Sequence, residues 1–355
     1  MAKKLMKGNV AIAEAAVQAG CRYYFGYPIT PQNEVPEYLS KRIREVGGVF
    51  KQAESEVASI NMVFGASAAG GRAMTSSSGL GIALMQEGIS NLSATQIPAV
   101  ILNVSRGGPG IGTIQAAQQD YMQMTRGGGN GDYHCLVYAP WDMQEACDLM
   151  QRAFDKADEY RMVAMVYTDA TLSAMMESVE IKENAGSKEL MENKPWALSP
   201  EAHEGGRNKI EAVWNEPKDC MAFNEMMKDK YDRVIANETM VDLIDVEDAD
   251  FVIVAYGTTA RIAQGALKYA KAEGVKVGMI RPVTLWPFPY EAVYEYTKNA
   301  KGILVAEMAI NQLEEDVRMA VDHDRLILHL GTCGGVMPSA KEMAKVIVEV
   351  AKEVL

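Results

Sequence analysis

Along this chain, short unbroken apolar runs alternate with longer stretches in which apolar residues return every three or four positions, and that alternation predicts strands followed by helices. GNVAIAEAAVQAG, residues 8–20, predicts an amphipathic first helix ended by Gly20, and CRYYFGYPITP a strand and a turn. QNEVPEYLSKRIREVGG predicts a helix with Pro36 near its start, and VFKQAESEVASINMVFGASAAGG a short strand continuing as a glycine-closed helix. RAMTSSSGLGIALMQEGISNLSAT reads as strand, Ser/Gly loop and helix. Ala99 to Val104 forms an apolar strand running into a glycine-rich loop. CLVYAPWDMQEACDLMQRAFDKADEY reads as strand, loop and helix, and RMVAMVYTDATLS as one more strand with its loop.

Residues 176–245 change character: they are charged, carry Pro195, Pro200 and Pro217, and show no sustained apolar strand, with EAHEGGRNK loop-like. They read as a long connection with some helix, crossing between domains, and a connection of that length usually carries a job such as a partner contact. Alternation resumes with DFVIVAYG, TTARIAQGALKYAKAEG, VKVGMIRPVTLWPFP, KGILVAEMA, RLILHLGT and the terminal helix SAKEMAKVIVEVAKEVL, a second and smaller α/β domain. Strands alternating with helices predict a largely parallel sheet covered on both faces. Ligands of such sheets collect at the carboxyl ends of the strands, where three loops meet: GYPITP, SSSGLG and SRGGPGIGT.

Composition narrows the picture. A length of 355 residues accommodates two domains with their own cores. Net charge is −12, which argues against a general nucleic-acid role. No apolar run reaches the roughly 20 residues of a membrane span. The N-terminus has lysines followed by small apolar residues, but Glu14 and Gln18 interrupt the run, so the expectation is a cytoplasmic protein rather than a signal peptide. Five scattered cysteines without a CxxC pair argue against a zinc site or an iron–sulfur cluster held by this chain alone, and read as reduced, buried thiols. The four histidines show no metal spacing.

Three polar residues on strand-end loops could carry chemistry. In GYPITP, Pro28 and Pro31 fix their own φ and extend the residues before them, so Tyr27 and Thr30 lie on a stiff segment. That is a rigid turn, or a device that aims the Thr30 hydroxyl. Glu56 lies beside Glu54 where a helix begins, a place that favours carboxylates in any case. Arg106 ends a strand ahead of GGPGIGT, either as a surface arginine or as a clamp for a carboxylate, which guanidinium matches bidentately. The chain carries no GxxxxGK[ST], no GxGxxG ahead of a convincing helix, no GxSxG and no HExxH. What remains is what half of a shared active site would look like.

GNVAIAEAAVQAGCRYYFGYPITPQNEVPEYL resembles the start of the α subunit of 2-oxoacid:ferredoxin oxidoreductases, and the likeness continues through KQAESEVASINMVFGASAAGGRAMTSSSGLGIALMQEGIS, VILNVSRGGPGIGT, YGTTARIA and IRPVTLWPFP. It is closest to the branched-chain (3-methyl-2-oxobutanoate) enzyme, where PQNEVPEY follows the threonine. The resemblance implies an α/β fold: a thiamine-diphosphate pyrimidine-binding-type parallel-sheet domain over residues 1–178, a connection and expected interface over 179–246, and a transketolase-C-terminal-like domain over 247–355. It implies oxidative decarboxylation of a 2-oxoacid to acyl-CoA, with electrons passing to ferredoxin. 2-Oxoglutarate, pyruvate, a non-redox thiamine-diphosphate subunit and a scaffold subunit stay as alternatives. Thiamine diphosphate would be shared with a diphosphate-binding β-type subunit. Magnesium (Mg2+) and 4Fe–4S clusters would belong to partner subunits, among them a γ-type and a ferredoxin-like one, and coenzyme A would be the co-substrate of a hetero-oligomer. By the same resemblance Glu56 would meet the aminopyrimidine ring nitrogen and serve as a proton relay. Thr30, Arg106 and Tyr27 would face the substrate, and Ser78 and Gly79 would line the cofactor.

Overall fold

The computed structural model describes residues 3–199 and 208–354, so Pro200, His203 and most of EAHEGGRNK lie outside the described residues. The first part of the chain runs β1 (Lys4–Lys7), α1 (Gly8–Gln18), β2 (Tyr23–Gly26), α2 (Glu34–Glu45), β3 (Val49–Gln52), α3 (Glu56–Ala68), β4 (Ala73–Ser77), α4 (Gly79–Ala94), β5 (Ala99–Ser105), α5 (Tyr121–Thr125), β6 (Leu136–Tyr138), α6 (Met143–Tyr160), β7 (Val163–Asp169), α7 (Ala170–Ala174) and β8 (Met176–Val179). It continues with α8 (Lys188–Glu192), α9 (Pro217–Glu238), β9 (Val241–Ile244), β10 (Phe251–Val254), α10 (Gly257–Ala272), β11 (Val277–Pro282), β12 (Thr284–Trp286), α11 (Tyr290–Thr297), β13 (Gly302–Glu307), α12 (Gln312–Ala320), β14 (Ile327–Gly331) and α13 (Ala340–Val354).

Two layered α/β sheets result, as the alternation predicts. The larger has the order β12-β6-β7-β5-β4-β2-β3 and is parallel except for β12. The smaller has the order β14-β13-β10-β11-β9 and is parallel except for β9. Strands β4, β5 and β7 are buried along their whole length, which is what helices on both faces impose. Local sequence sets the helix starts. Ser55 Oγ accepts from Ala58 N at 3.2 Å at the head of α3. Asp142 accepts from Glu145 N at 2.8 Å at the head of α6, while Glu145 reaches back to Trp141 N at 2.9 Å, a close relative of the reciprocal capping box.

Several features depart from the sequence reading. α1 is buried on nearly all sides between α2 and α6 rather than amphipathic, with Ala11, Ile12, Ala13, Ala15 and Ala16 fully covered. The 176–245 stretch does contain strands: β8 pairs antiparallel with β1 in a separate ribbon, and β9 forms an edge of the smaller sheet. It also holds the 22-residue helix α9, started by Pro217 at its first position. α9 is tied down by Glu238, which takes Tyr160 OH at 3.0 Å and Lys156 Nζ at 2.7 Å, and by Lys230 Nζ on Arg161 O at 3.1 Å. Of the five cysteines, Cys21, Cys135 and Cys147 are buried, with thiols pushed up to about 12 by that burial, whereas Cys220 is half-buried and Cys333 exposed.

The two halves are closely joined. β12, from the second half, completes the edge of the first sheet beside β6, and His134 stacks on Trp286 with ring centres 4.5 Å apart. Arg281 is fully buried, lies over the Trp141 ring and forks onto Glu145 at 2.7 and 2.8 Å, with Asp242 as a further partner. Gln118, between β5 and α5, meets the second half five times: Gln118 N donates to Met308 O, Met308 N and Thr259 Oγ1 donate to Gln118 Oε1, and Gln118 Nε2 donates to Tyr256 O, all at 2.7–2.9 Å, while Tyr256 OH donates to Gln118 O at 3.3 Å. Asp316 on α12 accepts from Tyr121 OH at 2.5 Å and Arg126 at 2.9 Å.

Candidate functional site

The carboxyl ends of β2, β4 and β5 bring the GYPITP and SRGGPGIGT loops together, but SSSGLG is no loop: Ser76 and Ser77 finish β4, Gly79 already opens α4, and Ser78 alone joins them. The GYPITP turn is held at three points: Asn9 Nδ2 donates to Pro31 O at 2.9 Å, Arg106 Nη1 donates to Thr30 O at 2.8 Å, and the Gln32 side chain accepts from Ser76 Oγ at 2.6 Å. Ser76 Oγ also contacts Tyr24 OH at 2.7 Å. Thr30 and Arg106, 76 residues apart in sequence, are thus directly bonded. The contact is to the Thr30 backbone, and the Thr30 hydroxyl makes no hydrogen bond among the described residues. Tyr27 is exposed at the front of the same turn.

Glu56 opens α3 and is only 5% exposed, yet its carboxyl makes no hydrogen bond or ion pair among the described residues. It packs against the first turn of α4. A Cβ built on Gly81 would stand 2.6 Å from Glu56 Oε1 and would overlap Ser77 Oγ outright. Glycine at 81 is therefore what admits the carboxyl. Ser77 Oγ and Ser78 Oγ beside it are buried without partners. Burying polar atoms unpaired is costly, and a native cluster of them calls for an explanation; the one that fits is a polar ligand that supplies the missing partners. Glu54, its sequence neighbour, is not buried. Gly81→Ala is expected to abolish most activity with little loss of thermal stability, because the added methyl evicts Glu56 from its niche. Activity and melting temperature measured on the same preparation check this, and a fully active variant would refute the packing argument.

The loop after Arg106 folds back on itself through Gly107 N to Gln115 O at 3.0 Å and Thr113 N to Gly107 O at 2.8 Å. Gly112 has φ 57°, and a Cβ there would run into Gly107 O, so only glycine fits this bend. Thr113 Oγ1 donates to Gly334 O at 3.1 Å, tying the loop to the second half.

Sequence reasoning missed Asp120. It is buried beside Gly79, whose Cβ would stand 3.4 Å from Oδ1, and it accepts from Asn103 Nδ2 at 3.0 Å. Burial pushes its carboxyl above the ordinary range, against the opposing pull of Asn103, Ser105, the Gly79 amide and Arg106. No local motif marks it; its surroundings come from the end of β5, the start of α4 and Tyr167 on β7. Among the described residues no group of three or more His, Cys, Asp or Glu side chains gathers as a metal site, and no helix is long and apolar enough to cross a membrane.

Tyr27 and Val57, next to Glu56 in sequence, are exposed large apolar side chains, as are Ile111 and Ile114 on the glycine loop.

Comparisons with known proteins bear on the family and the fold. A family model described as Pyruvate flavodoxin/ferredoxin oxidoreductase, thiamine diP-bdg, matches residues 14–242, and one described as Pyruvate:ferredoxin oxidoreductase core domain II matches residues 249–343. The ketoisovalerate oxidoreductase subunit VorB of Methanothermobacter thermautotrophicus is 44% identical over 90% of this chain and 90% of its own. A solved 2-oxoglutarate:ferredoxin oxidoreductase from Magnetococcus marinus, with 2-oxoglutarate, coenzyme A and succinyl-CoA bound, is similar over 99% of this chain at TM-score 0.86 and 25% identity; this chain spans 65% of that one. A split gene transketolase, 15% identical with TM-score 0.61 over 98% of this chain and 99% of its own, shares the fold.

Proposed function

This chain belongs to the pyruvate flavodoxin/ferredoxin oxidoreductase family, and on that footing we propose that it is the subunit of a 2-oxoacid:ferredoxin oxidoreductase that receives the pyrimidine end of thiamine diphosphate and, with its partners, decarboxylates a branched-chain 2-oxoacid to acyl-CoA. The observation that carries the reading is Glu56: a buried carboxyl without a partner, held in a niche that only glycine at 81 leaves open. Thiamine diphosphate, when bound, supplies the carbon nucleophile and electron sink that a 2-oxoacid needs to lose carbon dioxide.

The chain's own residues bind, orient and move a proton. Glu56 offers its carboxyl to a ring nitrogen, holding or releasing a proton at Oε in a place shielded from water. Ser78 and Gly79, at the start of α4, line the same wall. Arg106 and Thr30 face the substrate carboxylate and carbonyl, with Tyr27 at the entrance. Anchoring of the Thr30 turn by Asn9, Arg106 and Ser76 supports a hydroxyl oriented before substrate arrives, which lowers the ordering needed at the transition state. The exposed apolar side chains Tyr27, Val57, Ile111 and Ile114 support a second subunit seated against this face, one that carries the diphosphate and Mg2+. In this reading 4Fe–4S clusters on further subunits pass electrons to ferredoxin, coenzyme A takes the acyl group, and the assembly works in the cytoplasm. The 179–246 segment, between a first domain over 1–178 and a second over 247–355, adds contact area for the diphosphate-binding subunit.

The branched-chain substrate is supported by likeness to ketoisovalerate oxidoreductase subunits at 41–44% identity, against 30–34% for 2-oxoglutarate synthase subunits. The test is anaerobic purification of the native complex, then a panel of 2-oxoacids with coenzyme A and a viologen acceptor. Fastest reduction is expected with 3-methyl-2-oxobutanoate. Preference for 2-oxoglutarate or pyruvate would overturn the substrate, and no reduction by a thiamine-loaded, cluster-replete complex would overturn the activity.

A further inference from the structure

Segment 118–123 touches both the site and the second half of the chain. On the site side, Asp120 lays its carboxyl beside Gly79, the first residue of α4, where the Gly79 amide helps hold its ionised form. Gln123 Nε2 donates to Gly79 O at 3.0 Å. One short segment therefore touches Gly79 twice, through the Asp120 carboxyl packed against it and the Gln123 bond to its carbonyl. Two residues further along α4, Gly81 forms the wall of the Glu56 niche. On the other side, the second half of the chain grips the segment. Gln118 is bonded to Met308, Tyr256 and Thr259. Gln312, at the start of α12, donates from Nε2 to Gln119 O at 2.9 Å and accepts from Met122 N at 3.0 Å. α12 is itself fixed by Glu307, fully buried, which accepts from Leu313 N at 2.9 Å and Gln312 N at 3.2 Å.

We propose that Asp120 is a positioning residue: its buried carboxylate, held in place by the second half of the chain, clamps the first turn of α4 so that Gly81 and Ser77 keep Glu56 in its reactive place. The proposal deepens the reading given above and rests on it for the role of Glu56. It also accounts for an otherwise odd choice, a buried acid at a helix start that already faces another. Carboxyl groups are favoured at helix N-termini, and here the first turn of α4 meets an internal acid instead of a ligand phosphate. This matches a division of labour in which the diphosphate is bound by another subunit. Asn103 fixes the acid's orientation, and Tyr167 OH, an acceptor for Asp120 N at 3.2 Å, fixes its backbone.

The test is Asp120→Asn in the assembled complex, with Asp120→Ala beside it. Asparagine fills nearly the same volume, so a residue that merely packs would tolerate it. As a clamp it is weaker, because it loses the charge and one of its two accepting oxygens becomes an NH2 group that can only donate. Expected is a fall in kcat of about tenfold to a hundredfold, the scale of a small misplacement of a reacting group. KM for the 2-oxoacid should move by less than about threefold, because Arg106 keeps its bond to Thr30. Hydrogen exchange of the peptide covering residues 75–85 should quicken in Asp120→Asn while the helices of the second half exchange as before. An unchanged kcat with unchanged exchange would overturn the proposal. A loss confined to KM would overturn it too, since Asp120 would then act through Arg106. If the parent complex reduces no acceptor with any 2-oxoacid, the functional reading fails, and exchange at 75–85 still decides whether Asp120 clamps α4.

Discussion

Glu56→Gln is expected to lower kcat of the assembled complex by about 10²–10⁴-fold, the usual scale for losing a positioned proton donor or acceptor. Glutamine keeps the shape that fits beneath Gly81 and keeps a hydrogen-bonding oxygen, but it can neither take up nor release a proton at that atom. Stability should move the other way. Glu56 as a residue is 5% exposed and its carboxyl is unpartnered among the described residues, so it is an expense to the fold. Its neutral amide removes a buried charge, and the melting temperature should hold or rise. Such opposite movement of activity and stability is characteristic of a site kept for chemistry. Steady-state rates at saturating 2-oxoacid, with a thermal melt of the same sample, check it. A fully active Gln variant would remove Glu56 from the mechanism, and an unfolded one would make it a structural residue.

Arg106→Ala is expected to raise KM for the 2-oxoacid about a hundredfold, the equivalent of roughly 2–5 kcal/mol for removing one member of a buried charge-assisted pair. Two losses combine. The guanidinium is the cation nearest the Thr30 turn, and its Nη1 holds Thr30 O at 2.8 Å, so truncation removes the carboxylate partner and loosens the turn together. Arg106→Lys should recover only part of the affinity, because an ammonium is a point charge that cannot hold the carbonyl and a carboxylate in one plane. Initial rates over a wide range of 2-oxoacid concentration separate KM from kcat. Full recovery by lysine would mean that charge alone matters, and an unchanged KM in the alanine variant would exclude Arg106 from substrate recognition.

Elements set by local patterning were readable from sequence. β5 and β7 announce themselves as largely apolar runs, whereas the Ser76 and Ser77 end of β4 reads as loop, and the chain segments that follow β2, β4 and β5 converge because parallel sheets collect their ligands at one edge. β1 and β8, KLMK and MESV, were not readable: they carry too few apolar residues, and pairing across more than 160 residues makes them strands. β12 is hidden for the same reason, as three residues in a Pro-rich turn that become a strand only against β6. α9 did leave a signal that went unused, Pro217 at its first position and Met227, Tyr231 and Val234 at helical spacing. Thr30 and Arg106 were candidates from their loops alone, but the bond between them belongs to the fold. The role of Gly81 looked like one glycine among many until the carboxyl beside it came into view.

The return of β12 to the first sheet bears on how such a chain can be divided or fused in evolution. Its neighbour β6 is only three residues long and would become the sheet's terminal strand if the chain were cut near residue 245. That short strand would then offer unpaired backbone groups to any passing edge. Independent genes for the two halves would have to carry residues 284–286 with the first half or find another strand to cap it. The covalent linkage of a site-bearing half to its companion is therefore kept by a backbone ladder as well as by the linker.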